Sequence, residues 1–438
     1  MKDLSDSSFK FVHTADIHLD SPMRGLTKYE GVAVDRLKTA TREAFSNLIS
    51  RTIDARPEFI VIAGDLFDGD WRDYNTGFFF VNEMARLRQA GIYAYVLYGN
   101  HDAQSQITKR LRLPENVKEF DHESVQSHRL DGFNVVLHGR SYPSRDVQDN
   151  LSQEYPSPTE GMFNIGVLHT GLGGLGGHAD YAPCTLDQLV NAGYDYWALG
   201  HVHTRQVLHE DPHVVFPGNL QGRHINEDGP RSASLVTVKE GRVVGIEEWE
   251  CDVVRWHRVD VPVQDCTQLN DIYMKIQQRL TEFQDAGGGE QTNAVRVRLT
   301  GATHLHGLLD SSEEDLTLNV QSSSLDVGRG ALWIQKVEVA TNSSSAAGPD
   351  TDSDEAIGEL QSLLGGATNN AELIQHLRED FAKLTEKLPA TLKSELEEQE
   401  RGYIQLLVND KYEELLNRMK DRVMYEITKG GEDANQQA

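Results

Sequence analysis

At 438 residues the chain is long enough for two or three domains, each with its own core. Its formal net charge of -26 argues against loose electrostatic binding of nucleic acid. No apolar run approaches the ~18 residues that span a bilayer, residues 1–10 are polar, and Cys184, Cys251 and Cys266 show no CxxC spacing. These features predict a cytoplasmic protein with no signal peptide, no membrane segment and no disulfide framework.

Residues 10–250 alternate strand-like runs with helical patterns, the helices falling near 33–55, 75–90 and 185–192. Early parallel-looking units give way to β-rich sequence at 134–138, 213–216, 234–239 and 243–248. The pattern predicts a layered α/β fold, a mixed sheet system with helices outside, over residues 1–250. Residues 251–340 read as a small α+β capping domain, with strands at 253–261, 294–299 and 332–339 and a helix at 269–283. In the middle strand Arg296 and Arg298 alternate with apolar residues, as in a half-exposed strand. Residues 341–370 are rich in Ser, Gly, Asp and Asn and predict a flexible acidic linker. Residues 371–438 form a helical segment. Leu373, Leu377, Phe381, Leu384 and Leu388 make one apolar stripe, and Ile404, Leu407, Tyr412, Leu415, Met419 and Val423 a second. The stripes predict either a helical pair closing on its own domain or a docking element for a partner helix.

Five strand-like runs end in metal-ligand residue types. Asp16-Ile17-His18 follows Phe11–Thr14, Gly64-Asp65 follows Phe59–Ile62, and Tyr98-Gly99-Asn100-His101-Asp102 follows Ile92–Leu97. His169 follows Ile165–Leu168, and Gly200-His201-Val202-His203 follows Tyr196–Leu199. One such tip is weak evidence, but five in order predict a metal site at the ends of the strands. Two Asp, one Asn and four His suit Mn, Fe, Zn or Ni and are too rich in nitrogen for Ca or Mg. Seven ligands exceed the needs of one ion. A two-ion site would use them all, with Asp65 as the bridge, because a carboxylate has one oxygen for each ion. His101 adjoins Asn100 and is the candidate catalytic proton donor. His178, in the glycine-rich run after His169, is a candidate for lining the site. His13, His122, His128, His138 and His209 are expected to be structural or solvated. The glycines after His169 do not fit a phosphate-cradling loop, since no GK[ST] follows.

The order DxH, GD, GNHD, H, GHxH resembles the calcineurin-like metallophosphoesterase superfamily. The details ADIHLDSP at 15–22, AGDLFD at 63–68, YGNHD at 98–102, ALGHVH at 198–203 and FPGNLQGRH at 216–224 narrow it. They look like the DNA-repair nucleases of the SbcD type, closest to the bacterial YhaO group. The resemblance implies a metallophosphoesterase β-sandwich flanked by helices. It implies that Asp16, His18, Asp65 and His203 hold one ion, that Asp65, Asn100, His169 and His201 hold the other, and that manganese is the working metal. It also implies DNA as substrate and an SbcC-type coiled-coil ATPase gripped by the C-terminal helices, and it leaves room for a homodimer. Asp68, His178, Arg223 and His224 are the candidate substrate-lining residues. Family nucleases often carry a His three residues after the bridging Asp. Asp68 stands there in this chain, which bears on duplex-end exonuclease activity.

Three functions remain open: a DNA nuclease acting with an ATPase, a phosphodiesterase or phosphatase for a small substrate, and a metal-bound regulatory subunit with little catalysis. The additional domain and helical tail favour the nuclease. His101 and the complete ligand set weigh against the regulatory subunit.

Overall fold

The computed structural model describes residues 8–21, 32–68, 74–104, 111–130, 132–175, 181–286, 291–327, 332–344, 359–360, 362–366, 370–385, 406–407, 409–420 and 422–423. Contacts divide the chain into two units: residues 1–258, 284–296 and 328–335, and residues 259–283, 297–327 and 336–438.

The first unit opens with β1 (Ser8–Thr14), α1 (Val32–Ala55), β2 (Phe59–Ala63), α2 (Tyr74–Gln89), β3 (Tyr93–Leu97) and β4 (Val117–Glu119). There follow β5 (Gln126–Leu130), β6 (Val135–Gly139), β7 (Phe163–His169), α3 (Leu186–Asn191) and β8 (Tyr196–Gly200). Then come β9 (Gln206–Glu210), β10 (His213–Phe216), β11 (Ser232–Lys239) and β12 (Arg242–Glu250). One six-stranded sheet has the order β12-β11-β1-β2-β3-β4, the other β5-β6-β7-β8-β10-β9. β1 to β4 run parallel, as do β6, β7, β8 and β10. β11, β12, β5 and β9 pair antiparallel at the flanks.

The parity of the strand residues explains the layers. In β1 and β2, Phe9, Phe11, Phe59 and Val61 meet Phe163, Ile165 and Tyr196 of the second sheet, forming the core between the sheets. The alternate residues Val12, Ile60 and Ile62 point the other way and pack on Phe45, Leu48 and Ile49 of α1 and Phe80 and Met84 of α2. On the outer face of the second sheet Trp197, Leu199 and Phe216 pack with Leu189 of α3. Each such side chain taken fully out of water contributes about 1.5–3 kcal/mol. The result is a two-sheet sandwich with helices outside, the layered α/β fold expected. Strands buried on both faces read as continuous apolar runs, which is why β2 and β8 were plain in the sequence.

A three-stranded sheet has the order β13-β14-β15, from β13 (Val254–Pro262), β14 (Thr292–Thr303) and β15 (Leu332–Ser343). The helices of this region are α4 (Leu269–Asp285), α5 (His306–Ser311) and α6 (Glu313–Val327). α4 buries Ile272, Ile276 and Leu280, one residue per turn along a single stripe. Arg296 departs from the half-exposed reading. It is buried, and its Nε donates to Gln335 Oε1 at 2.9 Å, so a side-chain acceptor replaces water. Arg298 keeps a looser ion pair with Asp260 at 3.5 Å.

β15 runs on to Ser343, and helical residues occur at 359–360 and 362–366. Ser344 and Asn370 are also described, Asn370 accepting the N–H groups of Glu372 and Leu373, and the remainder of the expected linker lies outside the described residues. In the tail, α7 (Ala371–Thr385) carries the first apolar stripe. Ile374, Leu377 and Phe381 pack against Leu406, Leu407, Tyr412 and Leu415, so the two stripes cover one another. Arg378 lies over the Tyr412 ring and pairs with Asp410 at 3.2 Å. Met419 and Val423 stay exposed, whereas Leu388 and Ile404 lie outside the described residues. No described helix is long and apolar enough to cross a membrane.

Candidate metal centre

All five strand tips converge, each at the C-terminal end of its strand, where β1, β2 and β3 of one sheet face β7 and β8 of the other. The backbone turns sharply to aim the side chains. Asp16, His18, Asp65 and His201 adopt left-handed φ values of 50°, 46°, 51° and 104°. Non-glycine residues held there cost of order 1–3 kcal/mol each and persist only where their surroundings over-determine them. Those surroundings are visible. Asp16 N–H donates to Gly64 O (3.0 Å), His18 N–H to Asp65 O (3.0 Å) and Leu19 N–H to Leu66 O (2.9 Å), ending in a bridge between Leu19 and Phe67. Asp102 binds the YGNHD turn to the next loop. Its carboxylate accepts the N–H groups of Leu66, Phe67 and Gly99 at 3.0, 2.8 and 2.9 Å. Burial, and then the charge of Asp65, push the Asp102 pKa up to about 7. A Cβ on Gly99 would lie 2.3 Å from Asp65 Oδ1, so glycine is required where the two loops touch.

The predicted ligands form two groups. Asp16, His18 and His203 bring ligand atoms within 4.8 Å of one another, as do Asp65, His169 and His201. Asp65 joins them: its Oδ2 is 3.4 Å from His169 Nε2 and 3.8 Å from His18 Nε2, while its Oδ1 accepts the His101 N–H at 3.0 Å. Asn100 Oδ1 is 3.0 Å from His169 Nε2. His169 Nδ1 is 3.0 Å from the Ala63 carbonyl, which can only accept, so Nδ1 carries a proton and Nε2 is the nitrogen turned toward Asn100 and Asp65. His203 Nδ1 is 2.6 Å from Glu227 Oε1, and its Nε2 is 3.3 Å from His18 Nε2. Asp16 accepts the His201 N–H through both oxygens, at 3.1 and 2.9 Å.

These residues fit divalent ions on chemical grounds. Buried imidazole nitrogens, an amide oxygen and two carboxylates face one another, an arrangement that is favourable only around positive charge, supplied by protons or by metal ions. The acid–base balance shows the same demand. Burial, and then the negative charge of Asp65, raise the Asp16 pKa to about 7. Burial opposes a charged His169, but the charge and hydrogen bond of Asp65, with Asp16 and the Ala63 carbonyl, together lift the imidazole to about 9. Burial alone would raise Asp65, yet His169 and His101 hold it well below the usual carboxylate range. The mixed N/O donor set suits Mn, Fe, Zn or Ni.

His101 sits at the rim, with its side chain 28% exposed and Nδ1 2.8 Å from Asp68 Oδ1. Asp68 in turn accepts from Ser21 Oγ at 2.7 Å and lies 3.9 Å from Arg223. Burial opposes the His101 cation, but Asp65 and then the bond to Asp68 raise its pKa above the ordinary value. Asp65 and Asp68 thus both favour the protonated form of His101, and of the two it is Asp68 that bonds its ring directly. Arg223 touches Ser21 Oγ at 3.3 Å and both His203 Nδ1 and Glu227 Oε1 at 3.4 Å. His224 Nε2 is 3.5 Å from Glu227, while His178 lies outside the described residues. Glu227 is the residue the sequence did not single out. It stands in the turn-like INEDGP, and only its contact with His203 gives it a role.

Of the other histidines, His13 is buried between Tyr196 and Leu199, and burial takes its pKa down to about 3. His138 bonds Ser127 at 2.7 Å, and His209 the Pro212 carbonyl at 2.8 Å. These are structural contacts, as expected.

Residues 9–205 match the calcineurin-like phosphoesterase family, and residues 256–342 the middle domain of metallophosphoesterase YhaO. Metallophosphoesterase YhaO of Bacillus subtilis is 33% identical over 332 residues, covering 75% of this chain and 78% of that one. DNA double-strand break repair protein Mre11 of Methanopyrus kandleri is 24% identical, covering 57% of this chain and 58% of its own. The protein of that name from Sulfurisphaera tokodaii is 28% identical over 47% of this chain and 51% of its own. With its site of paired ligand groups, its phosphoesterase match and its likeness to the Bacillus protein over three-quarters of its length, the chain belongs to the calcineurin-like metallophosphoesterases, in the YhaO family.

Proposed function

We propose that the chain is a two-ion phosphodiesterase that cuts DNA in repair, together with an SbcC-type coiled-coil ATPase. Asp16, His18, Asp65 and His203 would hold one ion and Asp65, Asn100, His169 and His201 the other, with manganese as the working metal. The observation that carries the reading is Asp65, whose Oδ2 lies between His18 and His169. Ions held there would polarise a phosphoryl oxygen and make water acidic enough to attack at neutral pH. His101 would protonate the leaving oxygen through Nε2, because Nδ1 is committed to Asp68. Arg223, His224 and Asp68 would line the place of the phosphodiester. The assignment to DNA is supported by the Mre11 relatives, whose names state double-strand break repair.

The tail is the proposed docking element for the ATPase. Its packed stripe supplies a folded platform, and exposed Met419 and Val423 supply the contact. A homodimer is compatible with this arrangement.

A digestion panel of single-stranded, duplex and hairpin DNA and cyclic nucleotides, with manganese and with chelator, tests the reading. Ion-dependent cutting of DNA is expected. A second reading, a small phosphodiester as substrate, is favoured by the carboxylate of Asp68 beside His101 in a chain of net charge -26. Turnover of cyclic nucleotides with intact DNA would select it.

A further inference from the structure

Among the described residues, the carboxylate of Glu227 has no part in either ligand group, yet it is buried against one of them. Its Oε1 takes the Nδ1 side of His203 at 2.6 Å. Its Oε2 accepts the Arg223 N–H at 2.7 Å and the Asn219 side-chain amide at 3.0 Å. The same loop also grips the His203 backbone, since Asn219 N–H and Arg231 Nη1 both donate to His203 O, at 3.1 and 2.8 Å. One segment, 219–231, thus fixes both the main chain and the ring of a single candidate ligand.

We infer that Glu227 is the positioning residue of one ion subsite: by accepting the Nδ1 proton of His203 it fixes the imidazole with its Nε2 lone pair toward Asp16 and His18. The inference rests on the two-ion reading above. A neutral imidazole carries one proton and can place it on either nitrogen, and only the Nε2 lone pair serves an ion among these residues. His169 has its tautomer set by a backbone carbonyl, Ala63 O, which no side-chain substitution removes. His203 relies on a carboxylate. The two subsites are therefore unequal: one is oriented by main chain, the other by Glu227. Hydrogen-bond partners behind a ligating histidine typically contribute 10–100-fold to metal affinity. A merely structural Glu227, present to neutralise Arg223, would alter melting temperature without singling out one ion.

The test is calorimetric titration of the metal-stripped full-length protein with manganese chloride alone, for wild type, Glu227→Ala, Glu227→Gln and Asp16→Asn. Wild type should take up two ions. Glu227→Ala should weaken one of them by about 10–100-fold and leave the other within about twofold. Asp16→Asn should weaken that same ion, and the double variant should lose less than the sum of the two effects. Glu227→Gln keeps an oxygen for Nδ1–H but not its charge, so its loss should be smaller, about threefold or more. If Glu227→Ala does not fold, Glu227→Gln decides. Wild-type affinity for both ions in the variant that folds overturns the role of Glu227, and so does equal weakening of both. A wild-type protein that binds fewer than two ions overturns the two-ion reading itself, a result separate from any effect of Glu227.

Discussion

Replacing Asp68 with asparagine removes a charge from behind His101, together with one of the two carboxylate oxygens, the one that faces Ser21 and Arg223. The pair is 2.8 Å apart, with side chains 28% and 20% exposed, so water screens it in part. Opposite unit charges near 4 Å are worth about 4 kcal/mol at the effective dielectric of a protein surface. Asn keeps an acceptor for Nδ1–H, and the loss is that of a charge-assisted bond relative to a neutral one, roughly 1–1.5 kcal/mol. That corresponds to about one pKa unit. Burial works against the imidazolium, and of the two carboxylates that raise its pKa, Asp65 would be engaged by the ions in the proposed two-ion site. Asp68 is thus the support that remains. The sign follows: with Asp68 present His101 holds its proton to higher pH, and without its charge the proton leaves sooner. The assay is the pH dependence of kcat for bis(p-nitrophenyl) phosphate in saturating manganese. Asp68→Asn should move the alkaline limb down by about one pH unit and lower the rate at pH 8 by up to about tenfold. His101→Ala should keep both ions, slow the reaction by roughly 10²–10⁴-fold and abolish that limb. If Asp68→Asn slows the reaction with the alkaline limb in place, Asp68 does not act through His101 and the reasoning fails.

Asp65→Asn should lose most activity and at least one manganese ion by elemental analysis, since a neutral amide bridges two cations poorly; full occupancy with two ions would remove Asp65 as the bridge. Gly99→Ala would drive a methyl against Asp65 Oδ1, and thermal melts should show a loss of about 1–3 kcal/mol together with weaker manganese binding. His13 is buried neutral with its pKa lowered to about 3, whereas the unfolded imidazole titrates near 6.5. Its contribution to stability is complete above pH 6.5 and is lost as pH falls toward 3, at up to about 1.4 kcal/mol per unit. In chelator, the loss of stability between pH 6.5 and 5 should be smaller by about 2 kcal/mol in His13→Gln than in wild type, as read by urea melts; equal losses would assign the acid sensitivity to other groups. Met419→Glu with Val423→Glu should leave the tail folded and hydrolysis of the small phosphodiester unchanged while abolishing co-purification with the ATPase, and retained binding would remove this face from the contact.

The five strand tips were legible because their signal is local. An apolar run says that the strand is buried, and the polar residues straight after it can only stand at its end. β4, β5 and β9 were not legible. β5 reads QSHRL and lies at a sheet edge, where half the residues meet water and no apolar run forms. Arg296 misled because a strand with alternating arginines looks half-exposed, and the acceptor that allows its burial, Gln335, is 39 residues away. Glu227 was hidden for the same reason: its partner lies 24 residues earlier, and nothing in INEDGP distinguishes it from a surface turn. Asp68 looked like a missing histidine in the sequence, and only the fold brings it to within 2.8 Å of His101. The tail stripes were plain, but their spacing could not say that they face each other.

The paired loops after β1 and β2 set a limit on chain length. Asp16, His18 and Leu19 donate in turn to Gly64, Asp65 and Leu66, so the rungs of the sheet continue past the strands and through the candidate ligands themselves. A substitution between the rungs changes one side chain. An inserted residue shifts every later donor by one acceptor and carries His18 away from Asp65. Homologous chains should therefore exchange Ile17, whose side chain is buried in the core, for other apolar residues yet keep the count between Asp16 and Leu19, and between Gly64 and Phe67, without gaps. Random insertion libraries should find these two short windows closed, while the outer loops of the same sandwich accept added residues.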